Sequence, residues 1–465
     1  MQSTELLRNG DDQNEDSEIE DSESQDEVNG ADESWGWWFY SVLYPSSDKF
    51  GGSGAPRLDA LDAPRWIASI QIVVYHFFYW AIYLGDWAYY GSYWTQFFFM
   101  LSGFVLAYAE MARPPRTEGE PSVLQYVHRR LVAIYPCYLF SYVIILFSKP
   151  SISTCEWTLL PLHLLLMQAW LPIHMKGCRC SAYEWNGEAW FISALVIYWL
   201  LLRPITSQVR KLSLSCSYAL VVACSLWSLV YHFVSAHGAR QSVVNILVFS
   251  SPAGYFHIFI AGILSARIFI LSATYTNAST GRLALDTGSA PILLKYGCCF
   301  GYLLYIIFYT LLVVFKLPIW DTPAHNGGLI PIMFLVVVGA AVGEDPLTKW
   351  VFRSLPFITL GKLSYAQYLI QRPVWNLLRK HFSDGFTMKA YPLILVLSAY
   401  LVQRWIGSPY TEWHRMCMEK GEKGAMEKCI AFLDDRVPLA RGSGVSALLL
   451  LLFALTAMIF WSTPS

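Results

Sequence analysis

The stretch 443-SGVSALLLLLFALTAMIFWS-462 is twenty residues long and carries no charged side chain. At 1.5 Å of rise per residue it matches the roughly 30 Å hydrocarbon core of a bilayer. Backbone polar groups find no water there, so a run of this kind crosses as a helix. Comparable apolar runs recur along the chain and predict spanning helices near 65–84, 93–111, 130–148, 188–205, 213–235, 253–272, 293–315, 327–343, 362–378 and 390–407, besides 444–462. The composition agrees: 55% of the 465 residues are hydrophobic, 16% aromatic and only 14% charged, against about 25% charged in a soluble domain. The expected fold is all-α, a polytopic transmembrane bundle of about 10–12 helices. An ordinary soluble domain is excluded.

One further apolar piece, 157–173, is short and contains Pro161, His163 and Pro172. If it crossed, the basic loop with Arg203, Arg210 and Lys211 would leave the cytoplasmic side, against the preference of Lys and Arg for that side. As a re-entrant or interfacial segment it lets every basic loop fall on the cytoplasmic face with the N-terminus.

Charge divides the chain. Residues 1–34 hold thirteen Asp and Glu against the single Arg8, which leaves 32 basic and 21 acidic residues elsewhere. Such an acidic, aromatic-poor stretch cannot bury enough apolar area to offset its ordering entropy. The domain reading is therefore a disordered acidic tail over 1–56, a membrane domain over 57–410, a charged linker over 411–442 and a C-terminal helix over 443–462. The first apolar stretch lies far from Met1, so no cleavable leader is expected and the first membrane helix serves as the insertion signal. Endoplasmic reticulum, Golgi and plasma membrane are not separated by composition. Ten cysteines are scattered. Cys178 and Cys180 in a short polar loop, with Cys155 nearby, allow one disulfide if that loop faces an oxidising lumen. Zinc-like spacing is lacking, and no metal site is expected.

Ionisable groups inside a spanning helix are costly and therefore informative. In 65-RWIASIQIVVYHFFYW-80, Arg65 and His76 are eleven residues apart, which returns them to within roughly 20° of one face and about 16 Å along the axis. Arg65 then meets the interface while His76 lies deep. Such a histidine is either a structural group bonded to a neighbouring helix or a general base, which needs an open path to a hydroxyl. Four other segments mix small, polar and aromatic residues. In 97-FFFMLSGFVLAY-108, Ser102-Gly103 admits close helix approach. In 128-HRRLVAIYP-136, Arg129 and Arg130 read as topology signals or as a grip on donor phosphates. From 185-WNGEAWFIS-193 the candidates taken are Asn186, Trp190 and Ser193. Finally, 360-LGKLSYAQYLIQRPVW-375 places Ser364, Tyr368 and Gln371 on one helix face, serving interhelical contacts or a polar cavity.

Taken in order, 58-LDALDAPRWIASIQIVVYHF-77, 97-FFFMLSGF-104, 126-YVHRRLVAIYP-136, 186-NGEAWFIS-193 with the upstream Gln168-Ala169-Trp170, and 360-LGKLSYAQYLIQRPV-374 resemble the acyltransferase-3 family of integral membrane proteins. The stretch 252-PAGYFHIFIAGILSA-266 is similar to its Pro, Phe and Gly pattern. The resemblance covers roughly 57–410. It implies transfer of an acyl group, often acetyl, from cytoplasmic acyl-CoA to a hydroxyl of a carbohydrate or lipid acceptor. The family's Arg, ten residues, His motif maps onto Arg65 and His76, which implies His76 as the catalytic base. Ser102, Arg129 and Arg130 are implied near the donor path. Asn186, Trp190, Ser193, Ser364, Tyr368 and Gln371 complete the candidate substrate contacts, with Tyr368 or Gln371 as a donor to developing oxyanion charge. Acyl-CoA enters as co-substrate; no bound cofactor and no nucleic-acid partner are expected. The chain departs from the family pattern at Ala133 for a second Arg, at Ala194 and Leu195 for an acidic residue, at Gln371 for a late His and at Gly407 for a Glu.

The topology places the sole N-glycosylation sequon, Asn277-Ala278-Ser279, on the cytoplasmic side. Expressed in a glycosylating host, the full chain is expected to show no mobility change on glycosidase treatment, and a glycan at Asn277 overturns the scheme.

Overall fold

Where lipid replaces water, close helix packing depends on small side chains and on polar groups that find each other. A computed structural model describes residues 57–78, 85–112, 122–149, 151–170, 181–237, 248–276, 283–315 and 323–408. The acidic tail over 1–56, the linker expected over 411–442 and the helix expected over 443–462 lie outside the described residues. Eleven helices of eleven or more residues are present among them: α1 Asp62–Phe78, α2 Trp94–Met111, α3 Val123–Ser148, α4 Thr154–Leu164, α5 Trp190–Val209, α6 Leu214–His237, α7 Pro252–Ala273, α8 Gly297–Phe315, α9 Ile330–Val342, α10 Leu355–His381 and α11 Asp384–Val402. Six of these, α3, α5, α6, α7, α8 and α11, are long and apolar enough to cross a membrane. The protein is an integral, multi-pass, all-α membrane protein.

Contacts at the helix ends fix the up-and-down order. Arg203 at the end of α5 pairs with Glu110 at the end of α2 at 3.3 Å, and its guanidinium lies over the Tyr126 ring near the start of α3. At the opposite end, Lys380 of α10 donates to the carbonyl of Phe147 in α3 at 2.9 Å. Between α9 and α10, Lys349 donates to Glu344 at 2.7 Å and Thr287 does so at 2.7 Å, which holds the Glu344 carboxyl below its usual range.

The polar helices α1 and α10 run parallel and turn their hydrophilic sides toward each other. Residues 62, 69 and 76 of α1, seven apart, share this seam. Gly361 lies against the Asp62 backbone, Gln367 donates to Ser69 at 3.0 Å, and Gln371 meets His76 at 3.3 Å. Thus α10 continues through Pro373 and runs longer than the expected 362–378.

The short helix α4 enters beside the C-terminal end of α3 and turns back. A capping box between Ser153 and Glu156 starts it, and Lys149 of α3 pairs with Glu156 there. Eleven residues span only about 16 Å, too little to cross. By Leu166, held at a positive φ of 57°, the chain has turned. At Trp185 it is back beside α4's start, donating its indole N–H to the carbonyl of Glu156 at 2.7 Å. Among the described residues this region holds no helix long enough to cross, in keeping with the re-entrant or interfacial reading. Cys155 is disulfide-bonded, with its partner outside the described residues.

Two details were not expected. Strands β1 Thr274–Thr276 and β2 Leu283–Leu285 pair antiparallel after α7, Thr274 opposite Leu285; the sequon between them lies outside the described residues. The helix expected over 327–343 begins only at Ile330, because Asn326 and Gly327 take non-helical angles.

Helices α2 and α7 cross backbone to backbone. A Cβ on Gly103 would stand 2.2 Å from the Phe259 carbonyl oxygen, and one on Gly262 would stand 2.1 Å from that of Met100. Both approaches are to backbone, which cannot rotate aside. Gly103→Val and Gly262→Val are each expected to destabilise the protein by about 1–3 kcal/mol or more, read as a lowered thermal midpoint in detergent; a midpoint unchanged in both variants contradicts this crossing.

Candidate active site

His76 stands two residues before the end of α1, with 22% of its side chain exposed. The ring is therefore enclosed but reachable. Its Nδ1 lies 3.3 Å from Gln371 Oε1 and 3.6 Å from Glu188 Oε1. Glu188, only 1% exposed, is gripped by Arg372: Nε donates to Oε1 at 2.8 Å and to Oε2 at 3.0 Å, and Nη2 to Oε1 at 2.6 Å. A fork of this kind is the strongest pairing a carboxylate makes. Arg372 also lies 5.6 Å from the centre of the Phe77 ring, whose aromatic face favours the cation. Trp375 and Tyr391 close the wall around Phe77 at centroid distances of 4.9 and 5.1 Å.

A proline sets this arrangement. Pro373 has no N–H, so the helix leaves the carbonyl of Leu369, four residues earlier, without its usual donor. Asn186 supplies one, its Nδ2 donating to Leu369 O at 2.8 Å and to Ser141 Oγ of α3 at 3.0 Å. That lashes the short turn Gly187–Ala189 to α10 and α3. From the residue next to Leu369, the Tyr368 hydroxyl donates to the Glu188 carbonyl, so the backbone of Glu188 is held from two sides. Its carboxylate then faces the two residues after Ile370, Gln371 and Arg372.

The other candidates separate clearly. Gln371 and Tyr368 belong to this cluster, and Asn186 supports it. Ser193 holds the re-entrant turn: its hydroxyl donates to Leu166 O at 2.8 Å and accepts from Ala169 N at 3.1 Å, while Trp170 donates to the Ser193 carbonyl at 2.8 Å. The two separated segments carrying Gln168-Ala169-Trp170 and Asn186 to Ser193 are thus one structural unit. Trp190 packs against Phe99 and Tyr255 at 5.9 and 5.4 Å between ring centres. Ser364 bonds within α10 to Gly361 O at 2.7 Å. Ser102 is half-buried beside the Gly103 crossing. Arg65 pairs with Asp62 a turn earlier in α1, at the far end of the helix from His76. Arg129 is exposed near the start of α3, and Arg130 lies over Tyr126 at 5.2 Å.

Sequence reasoning passed over Glu188 and Arg372, although both stood in segments it singled out. The available signal was charge: one acidic and one basic residue, each in a mainly apolar stretch, are expected to pair within the membrane. The site brings together a half-buried imidazole, acceptors beside its Nδ1 and a buried ion pair, a set chemically suited to taking a proton from a hydroxyl.

Because Glu188 is buried, removing Arg372 leaves an uncompensated charge. Arg372→Met is expected to cost about 2–3 kcal/mol of stability, below the value for a wholly buried pair because 37% of the Arg372 side chain is exposed. Combining it with Glu188→Gln is expected to recover most of that loss, as read from thermal or denaturant unfolding; equal destabilisation in single and double variants would show that the pair is not coupled.

Comparison with known proteins places the chain in a family. Curated O-acetyltransferase OatA proteins of Staphylococcus aureus, strains COL and MW2 among them, are 22% identical over 386 residues. The match takes in 76% of this chain and 57% of those proteins, so the chain spans little more than half the length of the curated relatives it matches. No solved structure is significantly similar to the chain. A family model, acyltransferase 3, described as an acyltransferase domain, matches residues 58–403, a span that holds His76, Glu188, Gln371 and Arg372 alike, and the chain belongs to the acyltransferase-3 family.

Proposed function

We propose that the protein is a membrane-embedded O-acyltransferase that moves an acyl group, acetyl in the first instance, from acyl-CoA to a hydroxyl of a carbohydrate or lipid acceptor. His76 acts as general base. The observation that carries this reading is the His76 ring, partly open and backed by Gln371 and the Glu188–Arg372 pair, inside an acyltransferase domain. The name of the bacterial relatives, O-acetyltransferase, supports oxygen as the acceptor atom and acetyl as the group.

In chemical terms, a hydroxyl is a poor nucleophile until its proton is removed as it attacks, and a positioned imidazole supplies about 10²–10⁴-fold by doing so. Arg129, exposed near the start of α3, is the proposed contact for donor phosphates. Arg65 is proposed to hold the interfacial end of α1 through Asp62.

Purified full-length protein given acetyl-CoA and a panel of glycan and lipid acceptors is expected to release free CoA thiol in an acceptor-dependent way. His76→Ala is expected to abolish release with expression unchanged. Transport of a substrate without thiol release points instead to a transporter and overturns the reading.

A further inference from the structure

The two nitrogens of His76 face different surroundings. Nδ1 meets Gln371 Oε1 at 3.3 Å and Glu188 Oε1 at 3.6 Å. The Gln371 amide is oriented by its other end, because Nε2 donates to the carbonyl of Tyr368 at 3.0 Å; reversing it would set oxygen against oxygen. Glu188 is doubly bonded to Arg372 and is therefore a carboxylate, which only accepts. Both neighbours of Nδ1 are thus acceptors. Nε2 has no hydrogen-bond partner among the described residues.

We infer that Glu188, with Gln371, is the positioning residue of His76: it fixes the proton on Nδ1 and leaves the Nε2 lone pair as the base. This rests on the acyl-transfer reading of the site. The acceptor oxygen bonds to the thioester carbonyl carbon while Nε2 takes the hydroxyl proton. The C–S bond then breaks, and Nε2 returns that proton to the departing CoA thiolate, so no further reactant is needed. Between these events the ring is an imidazolium, and the Glu188 carboxylate beside Nδ1 balances its charge. Arg372 has a separate task, since it fixes the carboxylate in place and keeps it from protonating or turning away. A carboxylate in this role selects the tautomer and steadies the cation without itself taking the proton.

Glu188→Gln distinguishes this from a purely structural role. With its oxygen turned to Arg372, the new amide presents N–H to Nδ1 and favours the opposite tautomer. The expected result is a fall in kcat of about 100-fold, with KM for acyl-CoA and acceptor within about twofold. Nitrogen-15 magnetic resonance of histidine-labelled full chain in lipid, with His76 assigned by its loss in His76→Gln, is expected to show a protonated Nδ1 and a bare Nε2 in the wild type. In Glu188→Gln the pattern is expected to reverse. A protonated Nε2 in the active wild type, or kcat for Glu188→Gln within about threefold of wild type, overturns the inference. The wild-type spectrum decides the matter even if the variant does not fold. Absence of thiol release from the wild type instead removes the acyl-transfer reading, and the tautomer result then stands by itself.

Discussion

A carboxylate with 1% of its side chain exposed has to be matched in a medium without water, and the pairing of Glu188 with Arg372 is the interaction on which the site depends. The demand spreads outward. Arg372 must sit on α10 with its guanidinium turned toward the Gly187–Ala189 turn, and that turn must be held close enough to receive it. Asn186 does the holding through the carbonyl that Pro373 releases, and Tyr368 does it through the carbonyl of Glu188 itself. Remote pieces then fall into place: α3 is bound in by Ser141, and the re-entrant segment by Ser193.

This order also explains why two segments far apart in sequence look like separate motifs. Gln168 donates to the Ala189 carbonyl at 3.2 Å, and Trp170 to that of Ser193. Neither segment closes its hydrogen bonds alone, so a change in one leaves an orphaned group in the other. In a soluble protein water would soften such a loss.

How much of this could be read from the residues follows from what periodicity reports. Apolar runs located nearly every helix, and the low charge set the solvent. Pro161 and the placement of basic loops pointed to a segment that does not cross, and the short α4 agrees; Pro172 lies outside the described residues. His76 was legible because an ionisable group in an apolar helix stands out. Gln371 and Tyr368 followed from helical phase. Glu188 and Arg372 were hidden by a different cause: one stands in the short turn before α5 and the other inside α10, and nothing local says which charge faces which across 184 residues. Asn186 was quoted as a polar position, yet its partner is a backbone carbonyl, which leaves no trace in side-chain spacing. Arg65 shared a face with His76, but phase alone did not predict that Asp62, three residues away, would engage it.

The parallel seam of α1 and α10 has a mechanical meaning. Its pairs, Asp62 with Gly361, Ser69 with Gln367 and His76 with Gln371, differ in size and in hydrogen-bonding character at every level. A slip of one helix turn would bring Ser364 or Tyr365 into the berth of Gly361 and strip His76 of its neighbour. The seam therefore acts as a key in a keyway, and the two helices travel as one rigid strut. Access to the imidazole must then come from elements around this strut, since the strut itself cannot open without dismantling the surroundings of His76.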